Sequence, residues 1–193
     1  MKKVLFGVFA FCALFSVVEC KSIATITFKP AYFYPQDSVF RDIYSGGFLP
    51  LGEFSIYLSS NAFISVEAGC FHKSTYITSV NITSPTSVTN VPMSCYLGYA
   101  FNIMKFWDFY AKIGPNLIYT KTYAEIPGLA KIAKTNSFGG SFALGTKFYV
   151  IKGLFIEIFA NYLYNKKQIE NSGDIFDVYF GGLQVGGGLG WRF

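Results

Sequence analysis

The sequence predicts an all-β chain, an eight-stranded antiparallel transmembrane β-barrel laid out as an up-and-down meander. Three observations carry this. Apolar and polar residues alternate in eight separate segments. Aromatic residues make up 20% of the chain and charged residues only 14%, whereas a soluble globular domain carries about 25% charged residues. Beyond the N-terminus, no continuous apolar run reaches the roughly 20 residues a membrane-crossing helix needs. A closed barrel is then the structure that satisfies every backbone polar group in lipid.

The chain opens with a segment that reads as a secretory signal peptide over residues 1–20. Lys2 and Lys3 supply the positive start, Val4 to Val18 the apolar core, and Val18-Glu19-Cys20 the cleavage site. The mature barrel is expected over residues 21–193. An uncleaved anchor and a lipid-modified Cys20 are the rival readings of this segment. Cleavage removes Lys2, Lys3 and Glu19 and brings the net charge from +5 to +4. The remaining charges are scattered, apart from Lys166-Lys167, so no basic stripe suggests nucleic acid. Nothing in the spacing of Cys, His or acids points to a metal or another cofactor.

The first strand is expected over Ala24 to Tyr34. Ala24, Ile26, Phe28, Tyr32 and Tyr34 share one face, and Thr25, Thr27 and Lys29 share the other. The same two-residue period marks Phe48–Leu58, Phe63–His72, Val91–Phe101, Phe109–Tyr119, Phe138–Phe148, Leu154–Tyr164 and Leu183–Phe193. Each is close to the ~9–11 residues of a tilted membrane strand. Short links follow strands two, four and six: Ser59 to Ala62, Asn102 to Asp108, and Tyr149 to Gly153. Longer ones follow strands one, three, five and seven: Pro35 to Gly47, Lys73 to Asn90, Thr120 to Ser137, and Asn165 to Asp174 or beyond. Short turns on one side and long loops on the other are the pattern of a membrane barrel. Aromatic residues gather at the strand ends, where amphipathic rings meet the two interfaces.

The last segment alternates to a terminal aromatic. Val185, Leu189, Trp191 and Phe193 resemble the C-terminal insertion signal of bacterial outer-membrane proteins, with Gly187 filling one step without apolar bulk. Over residues 22–193 the chain resembles the small OmpA- and OmpX-like outer-membrane barrels. The resemblance implies a monomer in the bacterial outer membrane, surrounded by lipid and lipopolysaccharide. It also implies insertion by the barrel-assembly machinery through the C-terminal strand. It implies no particular activity.

On the polar faces lie Lys29, Glu53, Glu67, Lys112, Asn116, Lys147, Glu157, Asn161, Gln184 and Arg192. An eight-stranded barrel is just wide enough inside for side chains to fill it, and charges there must pair. These residues are expected to form a lumen network that plugs the barrel; a narrow ion path is the alternative. His72 and Ser74 share the outward face. A base beside a hydroxyl can serve acyl transfer when a third group, usually a carboxylate, orients the base. Lipid A deacylases use a His and a Ser spaced this way, a likeness limited to His72-Lys73-Ser74. Cys70 and Cys95 also face outward. If Ile64 lies opposite Phe101, the two cysteines lie opposite each other and a disulfide is within reach; otherwise they are small apolar groups in lipid. The outer loops carry Lys73, Lys121, Lys131, Lys134, Lys166 and Lys167, which can meet lipopolysaccharide phosphates, diluted by Asp37, Asp42, Glu125, Glu170 and Asp174. The Asn81-Ile-Thr83 sequon is uninformative in a bacterial protein. The expected function is a non-enzymatic barrel with a filled lumen and surface contacts through its loops. A lipid A-modifying enzyme and a secreted lipocalin-like carrier are the alternatives, the carrier requiring the aromatic face to point inward.

Overall fold

Alternation sets the shape of every strand in the computed structural model. It describes residues 24–79, 82–126, 129–151, 153–171 and 174–193. The signal peptide, its cleavage after Cys20 and the Asn81 sequon lie outside the described residues, as do the side chains of Glu125, Lys131, Glu170 and Asp174. Eleven strands and one helix follow in the order β1 (Ala24–Pro35), α1 (Ser38–Tyr44), β2 (Gly47–Tyr57), β3 (Ala62–Gly69), β4 (Phe71–Ser79), β5 (Ile82–Met104), β6 (Trp107–Ile126), β7 (Leu129–Tyr149), β8 (Leu154–Tyr164), β9 (Lys166–Asn171), β10 (Asp174–Tyr179) and β11 (Gly182–Arg192).

The main sheet runs β3-β2-β1-β11-β8-β7-β6-β5, and β5 pairs back onto β3. It therefore closes, and every neighbouring pair is antiparallel. β4 continues the β3 stave along β5, which gives eight staves in all. Closure removes the unpaired sheet edges that lipid cannot tolerate.

The apolar face points outward. Ile26, Phe28, Tyr32 and Tyr34 are exposed, while Thr25, Thr27, Lys29, Ala31 and Phe33 are buried inside. The same holds on β8, where Ile156, Ile158, Tyr162 and Tyr164 alternate with buried Phe155, Glu157, Phe159, Asn161 and Leu163. A lipocalin-like carrier needs the reverse arrangement, so that alternative falls. Lumen glycines make room for large rings. A Cβ on Gly98 would collide with the Phe63 ring, and one on Gly145 with the Tyr110 ring.

Two expected loops are strands. Lys73 pairs with Val88 and Thr120 with Thr135, so the described residues 73–79, 82–90, 120–126 and 129–137 belong to β4 to β7. Their period is faint in the sequence because the outward face there carries Ser, Thr and Lys and the inward face is itself largely polar, with Thr86, Asn90, Thr120 and Ser137 buried. β5, β6 and β7 are 23, 20 and 21 residues long. At about 3.3 Å per residue they run well past the apolar band. At the other end the β5–β6 link shrinks to Lys105 and Phe106. The segment after Asn165 forms the β9–β10 hairpin.

α1 sits inside the expected loop from Pro35 to Gly47. Asp37 caps it, its carboxylate accepting from Phe40 N at 2.9 Å. Phe40, Ile43 and Tyr44, spaced along one helical face, rest on Phe33, Leu49, Leu51, Phe71, Val88 and Phe159. The Tyr44 and Thr86 hydroxyls bond at 2.8 Å. The helix thus corks the hairpin end of the lumen.

Gly98→Val is expected to cost about 1–3 kcal/mol by overpacking against Phe63. Gly52→Ala, whose new methyl meets open space, is expected to stay within about 0.5 kcal/mol. Urea midpoints in lipid vesicles compare the two.

Candidate functional site: the charged lumen and the outward rim

The centre of the lumen is built by three strand neighbours. Glu53 on β2 and Glu67 on β3 stand directly opposite each other. Two carboxylates at that spacing repel, and both are buried. Two lysines answer them from either side, Lys29 on β1 next to β2 and Lys112 on β6 beyond β5. Lys29 Nζ lies 2.7 Å from Glu53, 2.8 Å from Glu67 and 3.1 Å from Glu157. Lys112 Nζ lies 2.9 Å from Glu53 and 3.2 Å from Glu67. Each lysine also meets a ring face, Lys29 that of Phe159 at 4.0 Å and Lys112 that of Tyr96 at 4.2 Å. Asn161 donates to Glu67 at 3.0 Å and to Gln184 at 2.9 Å. The Tyr96 hydroxyl donates to Asn161 at 3.1 Å, and the Tyr110 hydroxyl to Glu157.

Seven of the expected lumen residues meet here: Lys29, Glu53, Glu67, Lys112, Glu157, Asn161 and Gln184. Three do not. Asn116 donates to the Gly140 carbonyl at 2.7 Å. Lys147, opposite Glu157 and Asp108 in register, sits over the rings of Phe155 at 4.9 Å and Tyr110 at 5.3 Å. Arg192 lies at the mouth beside the short turns, its guanidinium 5.0 Å from the Tyr57 ring and bonded to the Tyr149 hydroxyl at 3.3 Å. With Asp108 it lines an open vestibule of about 930 Å³. Tyr96 and Tyr110 have the lumen parity but carry no formal charge, so a search for charges passes over them.

On the outer surface, Val185, Leu189, Trp191 and Phe193 all point away from the lumen. Cys70 and Cys95 are free. The register that would join them does not form: Val66 lies opposite Cys95, and Ile64 opposite Leu97 rather than Phe101. Cys70 falls at the break between β3 and β4, where its N–H turns to the Pro50 carbonyl. His72 Nδ1 and the Thr89 hydroxyl bond at 2.9 Å, and His72 Nε2 and the Ser74 hydroxyl at 3.4 Å. Both ring nitrogens therefore meet hydroxyls. On the β9–β10 hairpin Lys166 and Asp177 pair at 2.8 Å. Their hydrogen bond holds the Asp177 carboxyl below its usual value and the Lys166 ammonium above its own.

Solved structures share this architecture. OprG from Pseudomonas aeruginosa aligns with a TM-score of 0.69 at 14% identity, over 89% of this chain and 96% of its own. The chain has the fold of a small outer-membrane barrel. A major outer membrane protein of Thermus thermophilus aligns with a TM-score of 0.63 at 11% identity, covering 88% of this barrel and 99% of its own chain. The Escherichia coli outer membrane protein W aligns at 0.57 and 13%, covering 91% and 100%. No family profile and no curated relative matches the sequence.

The barrel's Lys29→Met variant leaves three buried carboxylates with one bridging lysine. It is expected to lose about 3–5 kcal/mol, read as a lower urea midpoint in vesicles. Adding Glu67→Gln to that variant should recover part of the loss.

Proposed function

We propose that this barrel lies in a bacterial outer membrane, closed to ions, and serves as a structural and surface-contact protein through its hairpin end. One observation carries the reading: Lys29 is fully buried and bridges carboxylates from three strands at the mid-height of the lumen. An ion path would have to pass between partners already in contact. Phe33, Leu49, Leu51, Phe71 and Phe159, with α1 above them, fill the lumen on the outer side.

The prolonged β4 to β7 hairpins and the β9–β10 hairpin supply the surface for contact. A non-enzymatic role is supported at His72. Thr89 holds its Nδ1, where an acyl-transfer base wants a carboxylate to stabilise the imidazolium. The outward apolar run of Val185, Leu189, Trp191 and Phe193 supports recognition by the barrel-assembly machinery through the last strand.

Planar bilayers holding the purified barrel are expected to stay at baseline conductance, and stepwise openings would overturn the closed reading. In cells, the protein should fractionate with the outer membrane and migrate differently on gels before and after boiling. His72→Ala should leave the acyl pattern of the surrounding lipid A unchanged.

A further inference from the structure

The outward face of β6 reads Phe109, Ala111, Ile113, Pro115, Leu117 and Tyr119 at every second position. Ten residues at about 3.3 Å each, along a strand tilted about 40°, rise roughly 25 Å, the height of a barrel's apolar band. Phe101 to Val91 on β5 and Thr146 to Asn136 on β7 lie opposite this span in register. The tyrosine of the upper belt, Tyr119, pairs with Val91 and Asn136. The next row up is basic and polar. His72 pairs with Thr89, Thr89 with Lys121, and Lys121 with Lys134, four side chains in one line across β4, β5, β6 and β7.

Like charges directly opposite on adjacent strands repel. Lys121 and Lys134 are both exposed, and no ion pair of either occurs among the described residues. Lys167 adds a further ammonium nearby, donating to the Asn136 carbonyl at 3.1 Å. Around β1, β11 and β8 the outward rim is aromatic, with the Arg41 guanidinium of α1 over the Tyr34 ring at 5.2 Å. Tyr34, Leu183 and Tyr162 form the row across β1, β11 and β8, and Tyr32 pairs with Phe48. Lys121, Lys134 and Lys167 thus lie together on the β6–β7 side, one step above the Tyr119 belt, where lipid headgroups lie. A phosphomonoester brings about two negative charges and three acceptor oxygens. It would lie between the two ammoniums, relieve their repulsion and accept from the Thr89 hydroxyl.

We propose that Lys121 and Lys134, with Thr89 and His72 beside them, grip the phosphate of an outer-leaflet lipid. The proposal rests on the outer-membrane reading above. It names one lipid-facing side of the barrel as its point of attachment to the leaflet.

The test is native mass spectrometry of the whole mature protein refolded in detergent micelles. The probes are lipid A with its phosphates, the same lipid dephosphorylated, and inorganic phosphate. Wild type should retain phosphorylated lipid A. Lys121→Gln with Lys134→Gln should weaken it about tenfold, roughly the worth of one charge-assisted contact. Dephosphorylated lipid A should bind wild type only as well as the phosphorylated lipid binds that variant. Lys166→Gln, at a lysine already paired with Asp177, should change nothing. Equal binding by wild type and the double variant, or equal binding of the dephosphorylated lipid, overturns the proposal. Displacement of lipid A by inorganic phosphate at matching concentration overturns the lipid as source of the anion. Each variant is first checked for heat-modifiable migration. A wild type without it would fail the membrane reading itself, whereas a folded wild type with no phosphate preference fails only this site.

Discussion

A lysine bridging three carboxylates at the centre of a closed sheet is the contact on which the remaining arrangement turns. In lipid, polar side chains have one place to go, and an eight-stranded wall leaves little room there. Glu53 and Glu67 are forced side by side by the β2–β3 register. They are tolerable only because Lys29 and Lys112 reach them from β1 and β6. The network therefore ties strands far apart in sequence: Lys29, Glu53 and Glu67 come from the consecutive strands β1 to β3, and Lys112 and Glu157 join them from β6 and β8.

Around that centre the lumen is layered. Toward the short turns, Tyr57, Phe63, Ala100 and Tyr110 form an aromatic layer, with Lys147 over its rings. Toward the hairpins an apolar cluster that ends at α1 stands beside buried Asn90, Thr120 and Ser137. Bare glycines on the facing strands receive the rings, as Gly98 does for Phe63. The charged middle is thus flanked on both sides by layers rich in rings and aliphatic groups. Solvent is kept from the ion pairs, which strengthens them and raises the cost of breaking one.

Much of this is legible in the sequence because the membrane imposes a strict two-residue period. That period locates all eight staves and sets Lys29, Glu53, Glu67, Lys112 and Glu157 on the face opposite the aromatic one, while the aromatic C-terminal ending says which face is outward. It fails where the constraint lapses. Above the apolar band the outward face is no longer apolar and much of the inward face is polar, so β4 and the outer halves of β5, β6 and β7 read as loops. α1 is hidden in a short segment, although Asp37 followed by Phe40, Ile43 and Tyr44 carries a cap and a helical spacing. Register is the weakest inference. Parity survives a shift of an even number of residues, so Cys70 and Cys95 can be placed on the right face and still be separated.

The unbroken length of β5, β6 and β7 has a mechanical consequence. These strands pass through the wall and on into the outer hairpins without a joint. The β3–β4 stave, by contrast, breaks at Cys70. A tug on the β6–β7 hairpin tip acts along the strand direction, and the ladder to neighbouring β5 and β8 resists it as many hydrogen bonds strained together in shear. A tug on β4 would instead peel bonds one at a time from its free edge. Whatever the hairpins hold, β6 and β7 form the stiff mooring and β4 the compliant flank.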